Sequence, residues 1–278
     1  VSWSARMTAE LDTVIRIARE AGAILSEIYA KDFAVAYKSP RDPVTDADRL
    51  ANAHIVAALE REFPGDAIVA EESADKSLAT KGRVWFVDPL DGTKEFIAKN
   101  GEFAVMIGLA IDRRAVLGVV FQPATGKLYA GAEGVGAFLE QNGERRALRV
   151  SDEVDPSRLR LVVSRSHRPA EIDRIAKTLG LTSERPSGSV GLKVGLIAER
   201  EADLYIHLSD KSSHWDACAP EAILRAAGGV FVRADGERYA YGGDDLRTDG
   251  GILACNAASY DAVLAVVKEV ARDTGFLS

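Results

Sequence analysis

The sequence predicts an α/β protein whose N-terminal half is of the α+β type. Two amphipathic helical segments come first, and short apolar runs separated by turn signals follow between residues 67 and 149. That second pattern is typical of a mostly antiparallel sheet. After residue 155 strand-like and helix-like segments alternate, which is typical of an α/β unit. The 278 residues suffice for one large or two modest domains, and we predict two parts, 1–150 and 151–278, that form one integrated unit.

The N-terminal elements follow from apolar spacing and capping. Apolar residues recur every three or four positions over residues 8–29, which predicts an amphipathic helix. Residues 33–44 predict a short strand and a polar loop, because two prolines interrupt them. A second helix is predicted over about 46–63, with Thr45 as its N-cap, Leu50 on its inner face and a Pro-Gly pair after it.

The remaining elements are predicted from short apolar runs and from helical periodicity. In the N-terminal half the predicted strands are 67–70, 84–88, 103–111, 115–121, 127–132 and 136–139, with a hairpin turn at 112–114. In the C-terminal half the predicted strands are 160–164, 202–207, 229–232 and 251–254, and the predicted helices are 169–180, 190–199, 217–227 and 258–273.

Composition excludes several classes of protein. Hydrophobic content of 47% and charged content of 28% are ordinary for a soluble globular chain. The net charge of −7 argues against a general nucleic-acid surface, and no apolar run approaches the roughly 20 residues that cross a membrane. Cys218 and Cys255 lie among small residues, which favours buried, reduced thiols. Since the N-terminus lacks the pattern of a signal peptide, we expect a cytoplasmic protein.

Residues 88–93 (Asp-Pro-Leu-Asp-Gly-Thr) are the most informative segment. They follow the predicted strand, so Asp88 and Asp91 lie on a turn where the strand ends. At Gly92 and Thr93 the backbone can turn into a helix and direct N–H groups at an anion. Mg²⁺ typically binds one or two carboxylates together with substrate phosphate. By themselves, however, the two aspartates are equally consistent with the capping of a turn.

Two distant segments strengthen the first interpretation: residues 70–73 (Ala-Glu-Glu-Ser) and residues 215–221 (Trp-Asp-Ala-Cys-Ala-Pro-Glu). Together with residues 88–93 they resemble, in order and separation, the signatures of the metal-dependent, lithium-sensitive phosphatases that include inositol monophosphatases. The resemblance covers about residues 8–256. It implies a layered αβαβα sandwich of the inositol monophosphatase and fructose bisphosphatase type, two or three Mg²⁺ ions per site, and a homodimer as one possible assembly.

The resemblance also implies metal ligands. A first ion would be held by Glu71, Asp88 and the backbone carbonyl of Leu90, and a second would share Asp88 and add Asp91 and Asp216. Four converging acidic groups would repel one another, so bound cations are needed to make such a cluster tolerable. Considered alone, Glu71 would be an ordinary exposed carboxylate.

Two further residues are implied for catalysis. In the family that this chain resembles, a Thr in the position of Thr93 orients the attacking water together with an Asp after a Pro-Val-Thr pattern, which is Asp48 here. Asp48 is also a helix-start carboxylate that the helix dipole favours, and the two roles are compatible. Gly92, Thr93 and Asp216 are further expected to contact substrate.

Three features resemble the 3′(2′),5′-bisphosphate nucleotidase branch. Residues 93–96 read Thr-Lys-Glu-Phe, where the inositol monophosphatase branch usually shows Thr-Thr-Asn-Phe. Residues 164–167 (Ser-Arg-Ser-His) and 215–221 also resemble the nucleotidases, which implies His167 as an adenine contact. His167 is equally consistent with an ordinary loop histidine. Ser189 and Lys193 are implied nucleotide contacts, although the spacing has an extra residue.

The resulting hypothesis is a Mg²⁺-dependent phosphatase of sulfur metabolism that removes the 3′-phosphate of adenosine 3′,5′-bisphosphate, with Lys193 or Arg165 supplying charge for the second phosphate. An inositol monophosphatase, a broad sugar-phosphate phosphatase and a non-catalytic phosphate-binding protein of the same fold are the alternatives. A dinucleotide-binding oxidoreductase is not supported, because no Gly-x-Gly-x-x-Gly follows an opening strand. His207 and His214 are predicted to be structural or surface groups, since a His-rich zinc arrangement is absent.

Overall fold

The structure is a computed structural model that describes residues 2–31, 33–39, 42–73, 82–165 and 168–277. Within these ranges the helices are α1 (Trp3–Tyr29), α2 (Asp46–Glu62), α3 (Thr93–Ile97), α4 (Ala170–Leu179), α5 (Val190–Ala198), α6 (His214–Ala226) and α7 (Tyr260–Asp273). The strands are β1 (Val35–Ser39), β2 (Asp42–Thr45), β3 (Ala67–Ala70), β4 (Arg83–Asp91), β5 (Ala104–Ile111), β6 (Arg114–Gln122), β7 (Lys127–Ala132), β8 (Gly136–Gln141), β9 (Glu144–Ala147), β10 (Arg160–Ser164), β11 (Ser183–Ser187), β12 (Leu204–His207), β13 (Gly229–Val232) and β14 (Ile252–Asn256).

The elements stack in five layers. Helices α1 and α2 cover one face of a sheet with strand order β3-β4-β5-β6-β7-β8-β9, and α5 and α6 cover its other face. The same two helices contact a second sheet, with order β11-β10-β12-β14-β13, whose outer face carries α4 and α7. Three apolar clusters fill the spaces between these layers. The predicted αβαβα sandwich is therefore confirmed.

Strand β4 shows why the central sheet is recognisable from sequence. Val84 and Phe86 belong to the cluster beneath α5 and α6, whereas Trp85 and Val87 belong to the cluster beneath α1 and α2. A strand buried on both faces has no polar side, and it therefore appears as a continuous apolar run. The first sheet is mostly antiparallel as predicted, with the β3–β4 pair parallel.

Most of the differences from the predicted elements lie where apolar periodicity is weak. Helix α1 begins five residues earlier than predicted, and the region predicted as one strand and a loop contains the antiparallel pair β1 and β2. Strands β9 and β11 were not predicted, because both are edge strands with mostly exposed polar side chains. Leu50 was placed on the inner face of α2, but 54% of it is exposed.

Two local differences concern the segments that carry the predicted site. Strand β4 continues through Pro89 to Asp91, and its pairing with β5 changes register between Asp88 and Asp91. Since proline cannot donate to a ladder, such an irregularity is expected there. Helix α6 begins at His214 and not at the predicted residue 217, so Pro220 lies in the interior of the helix.

The turn between β5 and β6 agrees with the prediction. Asp112 and Arg113 both have positive φ, 47° and 65°, as a two-residue type I′ hairpin requires. The two sheets lie on either side of residue 150 and α6 packs against both; the division into parts 1–150 and 151–278 stays a prediction. None of the described helices combines the length and apolar character that crossing a bilayer would require.

Asp203 is a buried carboxylate that joins the start of β10 to the start of β12. It accepts hydrogen bonds from the Arg160 amide at 2.9 Å, from Arg160 Nε at 2.8 Å and Nη2 at 2.9 Å, and from Ser151 Oγ. Burial raises the pKa of Asp203, but these hydrogen bonds outweigh it and leave the pKa below its ordinary value. The ionised form therefore stabilises the fold.

We expect Asp203→Asn to lower the free energy of unfolding at pH 7 by about 2–3 kcal/mol, because hydrogen bonds to a charged group are lost. Since the folded-state pKa is depressed, this contribution is present above the unfolded pKa of about 4 and disappears as the pH falls through the folded value. Urea unfolding at pH 7 and pH 3.5 measures it. The control is Asp152→Asn, whose side chain is 77% exposed. A difference between Asp203→Asn and wild type that does not shrink at pH 3.5 would contradict the assignment.

Candidate active site

Asp88 lies near the end of β4 and is 2% exposed. Its Oδ1 accepts a hydrogen bond from the Leu90 amide at 2.9 Å. Burial raises the pKa of Asp88 well above its usual value, and the negative charges of Glu71, Asp91 and Asp216 raise it further. The fold therefore brings the four predicted acidic residues close enough to interact electrostatically.

Asp91 contacts the beginning of α5, in the other half of the chain. Its Oδ2 accepts hydrogen bonds from Ser189 Oγ at 2.6 Å and from the amides of Val190 at 2.6 Å and Gly191 at 3.3 Å. The first amides of a helix are donors without intrahelical partners, and the helix dipole favours an anion there. Burial raises the pKa of Asp91, whereas the Lys193 charge and these hydrogen bonds oppose the rise.

Asp216 is positioned by the capping of α6. Its Oδ2 accepts a hydrogen bond from the Ser213 amide at 2.7 Å, and Ser213 reciprocates, which forms a capping box. Glu71 follows β3, and its amide donates to the Val87 carbonyl at 3.0 Å. Both predicted ligands thus come from segments where an element begins or ends.

Thr93 and Asp48 are in contact, although 45 residues separate them. Thr93 Oγ1 lies 3.2 Å from Asp48 Oδ1 and 3.3 Å from the Leu90 carbonyl. Asp48 Oδ2 accepts from the Thr45 amide at 2.7 Å and from Thr45 Oγ1 at 2.6 Å, within the predicted N-cap of α2. Burial raises the pKa of Asp48, and the hydrogen bonds from Thr45 and Thr93 oppose it. A hydroxyl that donates to a carboxylate keeps its lone pairs available to accept a hydrogen bond from water.

Lys193 is buried on α5, and it lies beside the turn that contacts Asp91. Its Nζ donates to the Ser189 carbonyl at 2.7 Å and lies 5.1 Å from the centre of the Tyr205 ring. Burial lowers the pKa of Lys193 to about 8, although Asp91 and other acidic groups oppose this. Ser189 therefore contacts Asp91 through its side chain and Lys193 through its carbonyl.

A cavity of about 600 Å³ lies between the two halves of the chain. Its lining comprises Asp91, Gly92, Thr93, Lys94, Glu95, Ser164, Arg168, Pro169, Gly188, Ser189, Val190, Lys193, Tyr205, His207, Leu208, Ser209, Lys211, Ser212 and Asp216. Six predicted site residues are among them.

The other predicted site residues do not line this cavity or lie outside the described residues. Asp48, Glu71, Asp88 and Leu90 are not in the cavity lining, and Asp48 reaches it through Thr93. His167 lies outside the described residues. Sequence reasoning missed Arg168, Tyr205 and Lys211, because an isolated Lys, Arg or Tyr in a loop or strand shows no spacing that signals a pocket. Lys94, which the sequence offered only as a feature of the nucleotidase branch, also lines the cavity.

Arg165, a candidate from the sequence, has a structural partner instead, whereas His214 is a structural group as predicted. Arg165 is not in the cavity lining; it forms a bidentate pair with Glu102. His214 is buried, and its Nδ1 accepts a hydrogen bond from the Gly242 amide at 3.1 Å. Burial lowers the pKa of His214 to about 4, so the ring is neutral at neutral pH.

The donor atoms offered to a metal are all oxygens, which fits a hard divalent cation. The described hydrogen bonds of Asp88 and Asp91 fall on one oxygen of each carboxylate, so the other oxygen faces no described donor. Across the described ranges, however, no three or more His, Cys, Asp or Glu side chains are arranged as a ready group of metal ligands. The chemistry of the predicted ligands therefore fits Mg²⁺, and their assignment as ligands stays a prediction.

A family model for inositol monophosphatases matches residues 7–272. The chain belongs to the inositol monophosphatase family. It is 38% identical over 224 residues to the 3′(2′),5′-bisphosphate nucleotidase CysQ of Escherichia coli (strain K12), a match that covers 78% of this chain and 88% of that protein. The chain is therefore a phosphatase of this family, as the sequence predicted.

Solved structures agree with the fold. CysQ from Bacteroides thetaiotaomicron, a bacterial member of the inositol monophosphatase family, superposes with a TM-score of 0.76 at 30% identity, covering 90% of this chain and 97% of that one. The extragenic suppressor protein suhB from Bartonella henselae superposes with a TM-score of 0.81 at 25% identity, covering 94% and 99%.

The contact between Thr93 and Asp48 leads to a prediction about the kinetics of the reaction. We expect Thr93→Ala to lower kcat about 100-fold with little change in KM, because a group that orients water acts chiefly in the transition state. Thr93→Ser is the matched control, since it keeps the hydroxyl and should retain most of the turnover. Steady-state phosphate release measures both variants. Turnover of Thr93→Ala at the wild-type rate would show that the hydroxyl has no part in the reaction.

Proposed function

We propose that the chain is a Mg²⁺-dependent 3′(2′),5′-bisphosphate nucleotidase that hydrolyses the 3′-phosphate of adenosine 3′,5′-bisphosphate to give AMP and phosphate. The observation that carries this proposal is that one cavity is lined both by the acidic residues Asp91 and Asp216 and by the cationic residues Lys193, Arg168 and Lys211. A substrate with two phosphates needs both environments. The identity of 38% to a protein named as such a nucleotidase supports the same substrate class.

In this proposal Glu71, Asp88, the Leu90 carbonyl, Asp91 and Asp216 hold Mg²⁺. When bound, the cation stabilises charge on the phosphate oxygens and acidifies water. The chain's own contribution is to orient the nucleophile. The Thr93 hydroxyl donates a hydrogen bond to Asp48 and accepts one from the attacking water. The water oxygen bonds to phosphorus in line as the bond to the 3′-oxygen breaks, the water loses a proton, and the leaving 3′-oxygen takes up a proton from solvent to give the 3′-hydroxyl of AMP.

The second phosphate requires positive charge in the cavity lining. Arg165, one of the two groups considered from sequence, is already paired with Glu102 at 2.7 Å. Arg168 pairs with Asp173 and Glu184, and Lys211 is an exposed cation of the lining. We infer that Lys193 and Lys211 face the phosphate that is not hydrolysed.

The metal requirement is tested by removal and return of the ion. We expect a chelator to abolish phosphate release, Mg²⁺ to restore it, and Li⁺ and excess Ca²⁺ to inhibit, since Ca²⁺ prefers more ligands at longer distances. Asp91→Asn and Asp216→Asn should remove turnover and weaken Mg²⁺ binding measured by calorimetry, while circular dichroism remains native. Asp152→Asn, an exposed carboxylate outside the site, is the control. Full activity in the chelator would exclude metal dependence.

Substrate choice is tested by two compounds at matched Mg²⁺. We expect kcat/KM for adenosine 3′,5′-bisphosphate to exceed that for inositol 1-phosphate at least about tenfold, or roughly 1.4 kcal/mol of transition-state binding. Lys211→Ala should reduce this ratio by weakening only the bisphosphate. Equal or inverted specificity would instead favour the inositol monophosphatase activity, and activity on many sugar phosphates would favour a broad phosphatase.

A further inference from the structure

Glu102 lies in the loop between α3 and β5 and connects the two halves of the chain through its side chain. Its Oε2 accepts hydrogen bonds from Arg165 Nε and from the Gly188 amide, each at 2.7 Å, and its Oε1 accepts from Arg165 Nη2 at 2.7 Å. Planar bidentate pairs of this kind hold both partners in a fixed geometry. Arg165 therefore orients the carboxylate so that its Oε2 accepts the hydrogen bond from the Gly188 amide.

The backbone of Glu102 packs closely against two turns. A Cβ atom on Gly188 would lie 2.5 Å from the Glu102 carbonyl oxygen, and a Cβ atom on Gly92 would lie 2.9 Å from the same oxygen. Both distances are below what a real Cβ contact tolerates. The turn that begins α3 and the turn that precedes α5 thus meet at this one residue.

The second turn continues into a residue with an unfavourable backbone conformation. Ser189 has φ of 52°, which is uncommon for a residue with a side chain. Such a conformation persists only where the surroundings hold it. Here the Glu102 carboxylate accepts a hydrogen bond from the amide of the preceding residue, Gly188. Asp91 accepts a hydrogen bond from the Ser189 hydroxyl, and Lys193 donates one to the Ser189 carbonyl.

We propose that Glu102 is a positioning residue of the active site. Its carboxylate fixes the turn at Gly188 and Ser189, and that turn orients the Asp91 carboxylate and the first amides of α5. Glu102 itself is not in the cavity lining, so it acts through these neighbours. The kinetic consequence rests on the proposed phosphatase site, whereas the structural consequence does not.

Hydrogen exchange tests the structural consequence without any substrate. In Glu102→Ala we expect the amides of Val190 and Gly191 to exchange about tenfold faster, the change expected from the weakening of roughly one hydrogen bond. Glu102→Gln keeps an acceptor for the Gly188 amide and should restore most of the protection. The control is Glu133→Ala, which removes the exposed pair with Arg114 at 3.4 Å and should leave both amides unchanged.

The kinetic consequence is measured on the same variants with the preferred substrate. We expect Glu102→Ala to lower kcat about 10- to 100-fold, since a small misplacement of catalytic groups has effects of that size, and Glu102→Gln to recover most of it. Unchanged exchange at Val190 and Gly191 in Glu102→Ala would overturn the proposal, and so would faster exchange with an unchanged kcat. A wild-type protein that hydrolysed no phosphate ester would refute the proposed function, and the exchange result would still decide whether Glu102 holds the turn.

Discussion

The contact between the Asp91 carboxylate and the start of α5 is the interaction on which the site depends. It joins the end of β4 to a helix packed between the two sheets. Each hydrogen bond to a charged group contributes about 1.5–3 kcal/mol when the group remains charged. Burial opposes that charge, and Lys193 helps to maintain it. The same carboxylate therefore bridges the two halves of the chain and lines the cavity between them.

The acidic cluster is unfavourable for folding, and the rest of the fold offsets it. Asp88 is buried beside three like charges, an arrangement that disfavours ionisation of all four groups together. The surrounding sheet is apolar on both faces and is covered by helices on each side. Proteins often keep such locally unfavourable groups where function needs them, and compensate with packing elsewhere.

Asp48 shows that a structural and a functional role can share one side chain. Its Oδ2 completes the N-cap of α2 with Thr45, and its Oδ1 faces Thr93. Because the cap fixes the carboxylate, the oxygen that faces Thr93 is fixed as well. The two interpretations that the sequence left side by side for Asp48 therefore describe two oxygens of the same group.

The sequence by itself determined the α/β class, most element positions and the acidic segments, since periodicity and short motifs are local properties of the chain; the layered architecture was implied by the resemblance that those motifs carry. It could not predict β9 and β11, whose pairing uses backbone groups at sheet edges, nor the exposure of Leu50, which depends on the rotation of α2 against the sheet. Arg165 pairs with Glu102, which lies 63 positions away in the chain. Asp91 accepts a hydrogen bond from the Val190 amide of α5, which lies 99 positions away. Only the tertiary structure decided these contacts, because they depend on how the layers stack and on which side chains the stacking brings within hydrogen-bonding distance.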